Sequence, residues 1–146
     1  MSKKYLIVGG SSGIGLALTN RLATQGNTVF VLSRNQNQLE ISDKIVYHKF
    51  DVLDQQQNFP SFENEFDGLA YCPGSINLKP FKILKEQDYI NDFNLNALGA
   101  VKVTNQYLAN LKKVEKSSIV LFSTVAVQTG MPYHVSIAMA KGAVEG

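Results

Sequence analysis

The stretch YLIVGGSSGIGLAL, Tyr5 to Leu18, narrows the possible folds more than any other part of the chain. A short apolar, β-rich run passes into a pattern of helical spacing through a turn that holds Gly9, Gly13 and Gly15, in the spacing G-x-x-x-G-x-G. Glycine lets such a turn take positive φ and lets backbone come close to a ligand that a Cβ would hold away. The helix behind the turn presents free N–H groups and the positive end of its dipole to whatever lies in front. Ser11 and Ser12 add hydroxyl donors. Strand, glycine turn and helix in this order form a cradle for a pyrophosphate. Gly9, Ser11, Ser12, Gly13, Ile14 and Gly15 are therefore the expected contacts of a bound dinucleotide.

The rest of the chain alternates between the same two patterns. GIGLALTNRLATQG places Leu16, Leu18, Leu22 and Ala23 at helical spacing and stops at Gly26. NTVFVLSR, KIVYHKFDV, DGLAYCPG and SSIVLFST are further apolar strand runs. Helical patterns occupy Glu86 to about Lys113 and the last stretch of the chain. DQQQNFPSFENEFD is a polar connection with room for a short helix. Continuous apolar strands alternating with helices call for a parallel sheet covered on both faces. Right-handed crossovers then give an α/β, doubly wound sheet of Rossmann type with about five strands. No repeat or linker divides residues 1–146, so one domain is expected.

Composition excludes several classes. The net charge of +2 is too weak and too spread out to argue for nucleic acid or an anionic membrane. Hydrophobic residues at 45% and charged residues at 18% describe a globular chain, not a disordered one. Cys72 is the only cysteine, which excludes an internal disulfide and fits a reducing compartment. The apolar run near the N-terminus is too short for a secretory signal, and no run approaches the length of a membrane span. A soluble cytoplasmic protein is expected, with no metal.

The end of the second strand bears on which dinucleotide is taken. VLSRN gives Ser33 and Arg34, with no carboxylate before Glu40. A carboxylate there would bond the ribose 2′-hydroxyl of NAD, whereas Arg favours the 2′-phosphate of NADP. NADP(H) is expected over NAD.

On these residues the chain resembles the short-chain dehydrogenase/reductase family. Its G-x-x-x-G-I-G is that family's pattern, with Val8 where a Thr is usual. FDV puts Asp51 and Val52 where the family contacts adenine. YCPG falls on the family's N-N-A-G, and there only Gly74 matches. NALGAVKVTNQYL is similar to the family's long fourth helix, with Asn96 at the catalytic Asn. In SIVLFSTVAVQTGMP, Thr124 falls on the catalytic serine position, with Ser123 beside it.

The family's Y-x-x-x-K reads I-A-M-A-K here. The resemblance implies that Lys141 is the ligand of the nicotinamide ribose and that Ile137 stands where a Tyr hydroxyl gives or takes the proton. Isoleucine has no proton to exchange. Tyr133, one turn further back, His134, or Ser136 with Ser123 or Thr124 are the candidate substitutes. The implied activity is hydride transfer between NADPH and a small carbonyl or alcohol substrate. The alternative is a non-catalytic NADP(H)-binding pseudoenzyme or fragment. The family's sheet continues with two more strands and a substrate-binding segment, so the domain is expected to be incomplete at its C-terminus. The resemblance also implies a homodimer or homotetramer, formed by the long fourth helix and the Lys141 helix.

Overall fold

Val, Ile, Leu and aromatic residues fill the strand runs, and their side chains alternate between two faces. In the computed structural model, which describes residues 2–146, these runs become β1 (Lys4–Val8), β2 (Thr28–Ser33), β3 (Ile45–Lys49), β4 (Gly68–Tyr71) and β5 (Ser118–Leu121). The helices are α1 (Gly13–Thr24), α2 (Glu86–Phe93), α3 (Gly99–Leu111), α4 (Ala126–Thr129) and α5 (Val135–Glu145). A 3₁₀ turn covers Phe81–Ile83, and a π-helical turn, Asn94–Leu98, joins α2 to α3.

All strand pairs are parallel, in the order β3-β2-β1-β4-β5. Val8 pairs with Leu32 on one side and Tyr71 on the other. Chain direction around the sheet reverses between β1 and β4, so a crevice opens beyond the C-terminal ends of these strands.

Both faces of the sheet carry a core. Leu6, Val8, Phe30, Leu32, Leu69 and Tyr71 pack with Ala100, Val103, Tyr107 and Leu111 of α3. Ile7, Val29, Val31 and Ala70 face the other way, against Leu16, Leu18, Leu22 and Ala23 of α1. The expected doubly wound sheet of about five strands is the fold observed. β5 differs from the inner strands. It forms the sheet edge, and Ile119, Val120 and Leu121 are each about two-fifths exposed (42, 46 and 41%).

Two expectations are corrected. Residues 54–67 carry no helix. Pro60 has no N–H, and the carbonyls a helix would use are taken by side chains of α3. Tyr107 Oη donates to Pro60 O at 2.8 Å, and Asn110 Nδ2 donates to Phe62 O at 2.8 Å and Asn64 O at 2.7 Å. Phe62 and Phe66 thereby reach the core, meeting Phe30 edge-on at centroid distances of 5.2 and 5.5 Å.

The long helical pattern from Glu86 is also not one regular helix. Tyr71 Oη donates to Leu95 O at 2.6 Å, so Gly99 N–H bonds the carbonyl one residue earlier, Asn94 O. One extra residue is looped into the helix at that point, which is what makes a π turn. Glycine is required at position 99, because a Cβ there would overlap the Tyr71 hydroxyl.

Candidate functional site

The crevice beyond β1 holds a cavity of about 300 Å³. Gly9, Ser11, Ser12, Gly13, Ile14 and Gly15 form one wall. Ser33 and Arg34 follow from β2, Asp51 and Val52 from β3, and Gly74 from β4. Every residue expected to contact a dinucleotide lines this one cavity except Lys141.

The glycine loop is built as its chemistry requires. Gly13 lines the cavity with φ +52°, and a Cβ on it would meet nothing within 4 Å, so the space beside it is open. A Cβ on Gly15 would run into the carbonyl of Gly9, so the start of α1 can lie against the loop only without one. Gly10, which sequence reasoning passed over, has a packing role: its Cβ would lie 2.8 Å from Thr19 Oγ1 and 2.9 Å from Val31 Cγ1. Ser12, the residue before α1, makes no side-chain cap, which leaves first-turn N–H groups free for an anion.

Asn37 was also missed. It lines the cavity at φ +50°, a conformation Asn tolerates better than most residues, and its Nδ2 donates to Ser11 Oγ at 3.2 Å. Leu95 enters the lining as well, from within the π turn. Sequence periodicity carries no sign of that turn.

Arg34 is exposed and unpaired with any carboxylate: the ion pairs among the described residues are Lys4–Glu65 and Lys79–Asp88. Asp51 instead orders its own turn. Its Oδ1 accepts from Leu53 N–H at 3.0 Å, and its N–H donates to Gln57 Oε1 at 2.8 Å. Burial, with the Asp51 charge adding to it, holds the Tyr71 hydroxyl well above the ordinary tyrosine range.

Cys72 and Pro73 line the cavity where the family pattern would have Asn and Ala. Burial pushes the Cys72 thiol up to about 11, against the opposing charge of Lys141. Lys141 is half-buried, and burial lowers its ammonium from the ordinary lysine value, with Cys72 opposing. Lys141 therefore stands within electrostatic reach of the lining at Cys72 without lining the cavity itself.

The other catalytic candidates lie around this lining. Asn96 is buried in the π turn, where its Nδ2 donates to Asp92 O at 2.9 Å and Ser75 Oγ at 3.2 Å. Its Oδ1 lies near Gly74, at 3.4 Å from where a Cβ on that glycine would be. Ser123 Oγ donates to Glu145 Oε1. Thr124 Oγ1 accepts from Ala126 N–H at 3.3 Å, at the start of α4. Ile137 is buried, with 4% exposure.

Tyr133 would share a face with Lys141 only if the last helix began early enough to include it. α5 begins at Val135, so Tyr133 is not a turn of that helix. It sits before it at φ +67°, 55% exposed. Pro132 and the β-branched Val135 favour the break. His134 Nδ1 lies 2.7 Å from Pro132 O in the same bend. Among the described residues, no group of three or more His, Cys, Asp and Glu side chains is placed to hold a metal ion, and no helix is long and apolar enough to cross a membrane.

Comparison with known proteins agrees with this architecture. The model of the short chain dehydrogenase family matches residues 3–146. The bovine 3-ketodihydrosphingosine reductase is 26% identical over 160 residues, covering 97% of this chain and 48% of that protein. The 3-oxoacyl-(acyl-carrier-protein) reductase MabA of Mycobacterium avium is 26% identical over 152 residues, covering 100% of this chain and 58% of that protein. A crystal structure of a short-chain dehydrogenase from Streptomyces avermitilis superposes with a TM-score of 0.87 at 21% identity, covering 99% of this chain and 58% of the other. The chain thus spans about half the length of the curated relatives it matches.

Proposed function

The chain belongs to the short-chain dehydrogenase family, and from that premise we propose that it is an oxidoreductase binding NADP(H) in the glycine-loop cavity and acting on a small carbonyl or alcohol. One observation carries the reading. The glycine loop, the N-terminus of α1 and an unpaired Arg34 line a single cavity at the point where chain direction in the sheet reverses. The residues fit the cofactor. A pyrophosphate would find free N–H groups at the start of α1, with open space beside Gly13. A 2′-phosphate finds the Arg34 guanidinium, which offers a planar fork of donors and has no carboxylate competing for it. The adenine would find Asp51 and Val52, and the nicotinamide ribose would draw on Lys141, which is within electrostatic reach of Cys72.

When bound, the cofactor supplies or takes up a hydride at its nicotinamide ring. The chain binds, orients and excludes water, and it handles the proton at the substrate oxygen. Thr124 would bond that oxygen. The two reductases named above are described by their 3-keto and 3-oxo substrates, which supports a ketone as the substrate class. A cytoplasmic home fits the single cysteine. A homo-oligomer fits the apolar side chains exposed on the two helices expected to pair, Val101 and Leu108 on α3 and Met139 on α5.

A second reading, binding without catalysis, is favoured by Ile137 alone, which has no proton to give. One experiment separates the two. NADPH carrying deuterium at the transferable position is incubated with the protein and a panel of 3-oxo esters and simple ketones, and the products are weighed. Deuterium in an alcohol product supports the oxidoreductase. Tight NADPH binding with no labelled product supports the binding protein.

A further inference from the structure

We infer that Ser75 and Asp92 form the proton-transfer pair of this site, taking the place of the hydroxyl that Ile137 lacks. The inference rests on the oxidoreductase reading above.

Three buried side-chain atoms among the described residues have no hydrogen-bond partner: Asp92 Oδ2, Asn96 Oδ1 and Ser136 Oγ. They come from α2, the π turn and α5, which pack against one another. Native interiors rarely leave such atoms unsatisfied, and where they do a functional reason is the first to seek. Asp92 stands out. It is a carboxylate only 3% exposed, and neither ion pair of the described residues includes it. A buried polar side chain with an unpartnered oxygen is costly to keep.

Asp92 has one strong side-chain contact. Ser75 Oγ donates to Asp92 Oδ1 at 2.5 Å. Ser75 directly follows Gly74, which lines the cavity, and is itself only half-buried. Asn96 Nδ2 donates to Ser75 Oγ at 3.2 Å and fixes its orientation. A serine hydroxyl has one donor and two acceptor positions. Asp92 takes the donor, Asn96 takes one acceptor, and one acceptor remains for a substrate hydroxyl. The pair thus runs from Ser75, next in the chain to the cavity-lining Gly74, to a buried carboxyl with a free oxygen. Asp92 reaches Ser75 from α2 and Asn96 from the π turn that follows it.

The step balances. In the oxidising direction, the alcohol proton passes to Ser75 Oγ as the proton of Ser75 passes to Asp92 Oδ1. The O–H bonding pair becomes the second C–O bond, and the C–H pair leaves as hydride for the oxidised nicotinamide. Alcohol, oxidised cofactor and carboxylate become ketone, reduced cofactor and carboxylic acid. Reduction runs the same steps backwards. Ser75 is the catalytic residue, and Asp92 is the positioning residue that holds the proton behind it.

The test uses the intact chain with NADPH and an activated diketone as a general carbonyl probe. Binding is read by NADPH fluorescence, and hydride transfer by single-turnover absorbance. Asp92→Asn keeps an oxygen to accept from Ser75 but cannot take its proton. It should bind NADPH within about threefold of the native chain and transfer hydride about 100-fold more slowly, the size of a lost acid–base group. Ser75→Ala should behave alike, and Ser75→Thr should recover at least a tenth of the native rate. Native-rate transfer by Asp92→Asn overturns the inference, because a purely structural carboxylate tolerates the amide. Should Asp92→Asn fail to fold, the Ala and Thr variants at Ser75 decide, and equal rates in the two overturn it. A native chain that binds NADPH but reduces no diketone overturns it while leaving the cofactor reading intact. A chain that binds no NADPH overturns both.

Discussion

Two alanine substitutions in the glycine loop, Gly13→Ala and Gly15→Ala, separate stability from binding, because the structure gives each glycine a different reason. At Gly13 a methyl group meets nothing within 4 Å, so the cost to the fold is conformational. A φ of +52° costs a residue with a Cβ about 1–2 kcal/mol, and the stiffer unfolded chain returns about 0.4–1 kcal/mol of that. The net loss is about 1 kcal/mol, or a fall in Tm of about 3 °C for a chain this long. Gly13 also lines the cavity, and if the open space beside it takes the phosphates, the same methyl should cost NADPH at least about tenfold in affinity, equivalent to about 1.4 kcal/mol. At Gly15 the methyl overlaps the Gly9 carbonyl and crowds Gly10 Cα. Backbone must move, and the gain in helix propensity, about 1 kcal/mol, does not offset it. Gly15→Ala should therefore fall further in Tm than Gly13→Ala. Thermal melts with and without NADPH read both effects. A Gly13→Ala chain whose melting point rises with NADPH as much as the native chain's would refute the assignment of that open side to the phosphates.

Other expectations follow from the same geometry. The hydrogen bond from Lys79, with that from Lys85 N–H, holds the Asp88 carboxyl down at about 2, against 3.8 in the unfolded chain. A depressed carboxyl stabilises the fold above its unfolded value and ceases to as pH falls through its folded one. Melts between pH 4 and 2 should therefore lose stability more steeply in the native chain than in Asp88→Asn, and parallel curves would count against the pairing. With its thiol at about 11, Cys72 is roughly one-thousandth thiolate at pH 8, so aromatic disulfide reagents should label it far more slowly than free cysteine. Tyr71→Phe leaves the Leu95 carbonyl without its 2.6 Å donor, and urea unfolding should show a loss of about 1–3 kcal/mol.

The sheet and the glycine loop were legible because both rest on local chemistry. Strand runs such as TVFVLS and helix spacing such as Leu16, Leu18 and Leu22 announce buried faces, and a glycine turn between them has few other uses. Arg34 could be placed by its position at a strand end, and Asp51 and Gly74 by the resemblance to the family pattern. What stayed hidden depends on contacts between distant parts of the chain. Tyr71 reads as a strand residue, yet its hydroxyl pulls out the Leu95 carbonyl and creates the π turn. Asp92 reads as an ordinary polar residue of an amphipathic helix, yet it is buried against Ser75, seventeen residues earlier. The aromatic residues of the polar connection looked incidental until Tyr107 and Asn110 drew their backbone to α3. Tyr133 shared a face with Lys141 only if the last helix began that early, and the bend at Pro132 starts α5 at Val135 instead.

On the proposed reading this cavity holds an NADP-type dinucleotide. Calorimetric titration of the intact chain with NADPH, and separately with NADH, tests it most directly. Saturable binding of one NADPH per chain, at least about tenfold tighter than NADH, is the expected result, since tenfold is what one charge-assisted contact of about 1.4 kcal/mol from Arg34 supplies. Equal affinities would contradict the role given to Arg34, and no binding of either dinucleotide would contradict the account as a whole.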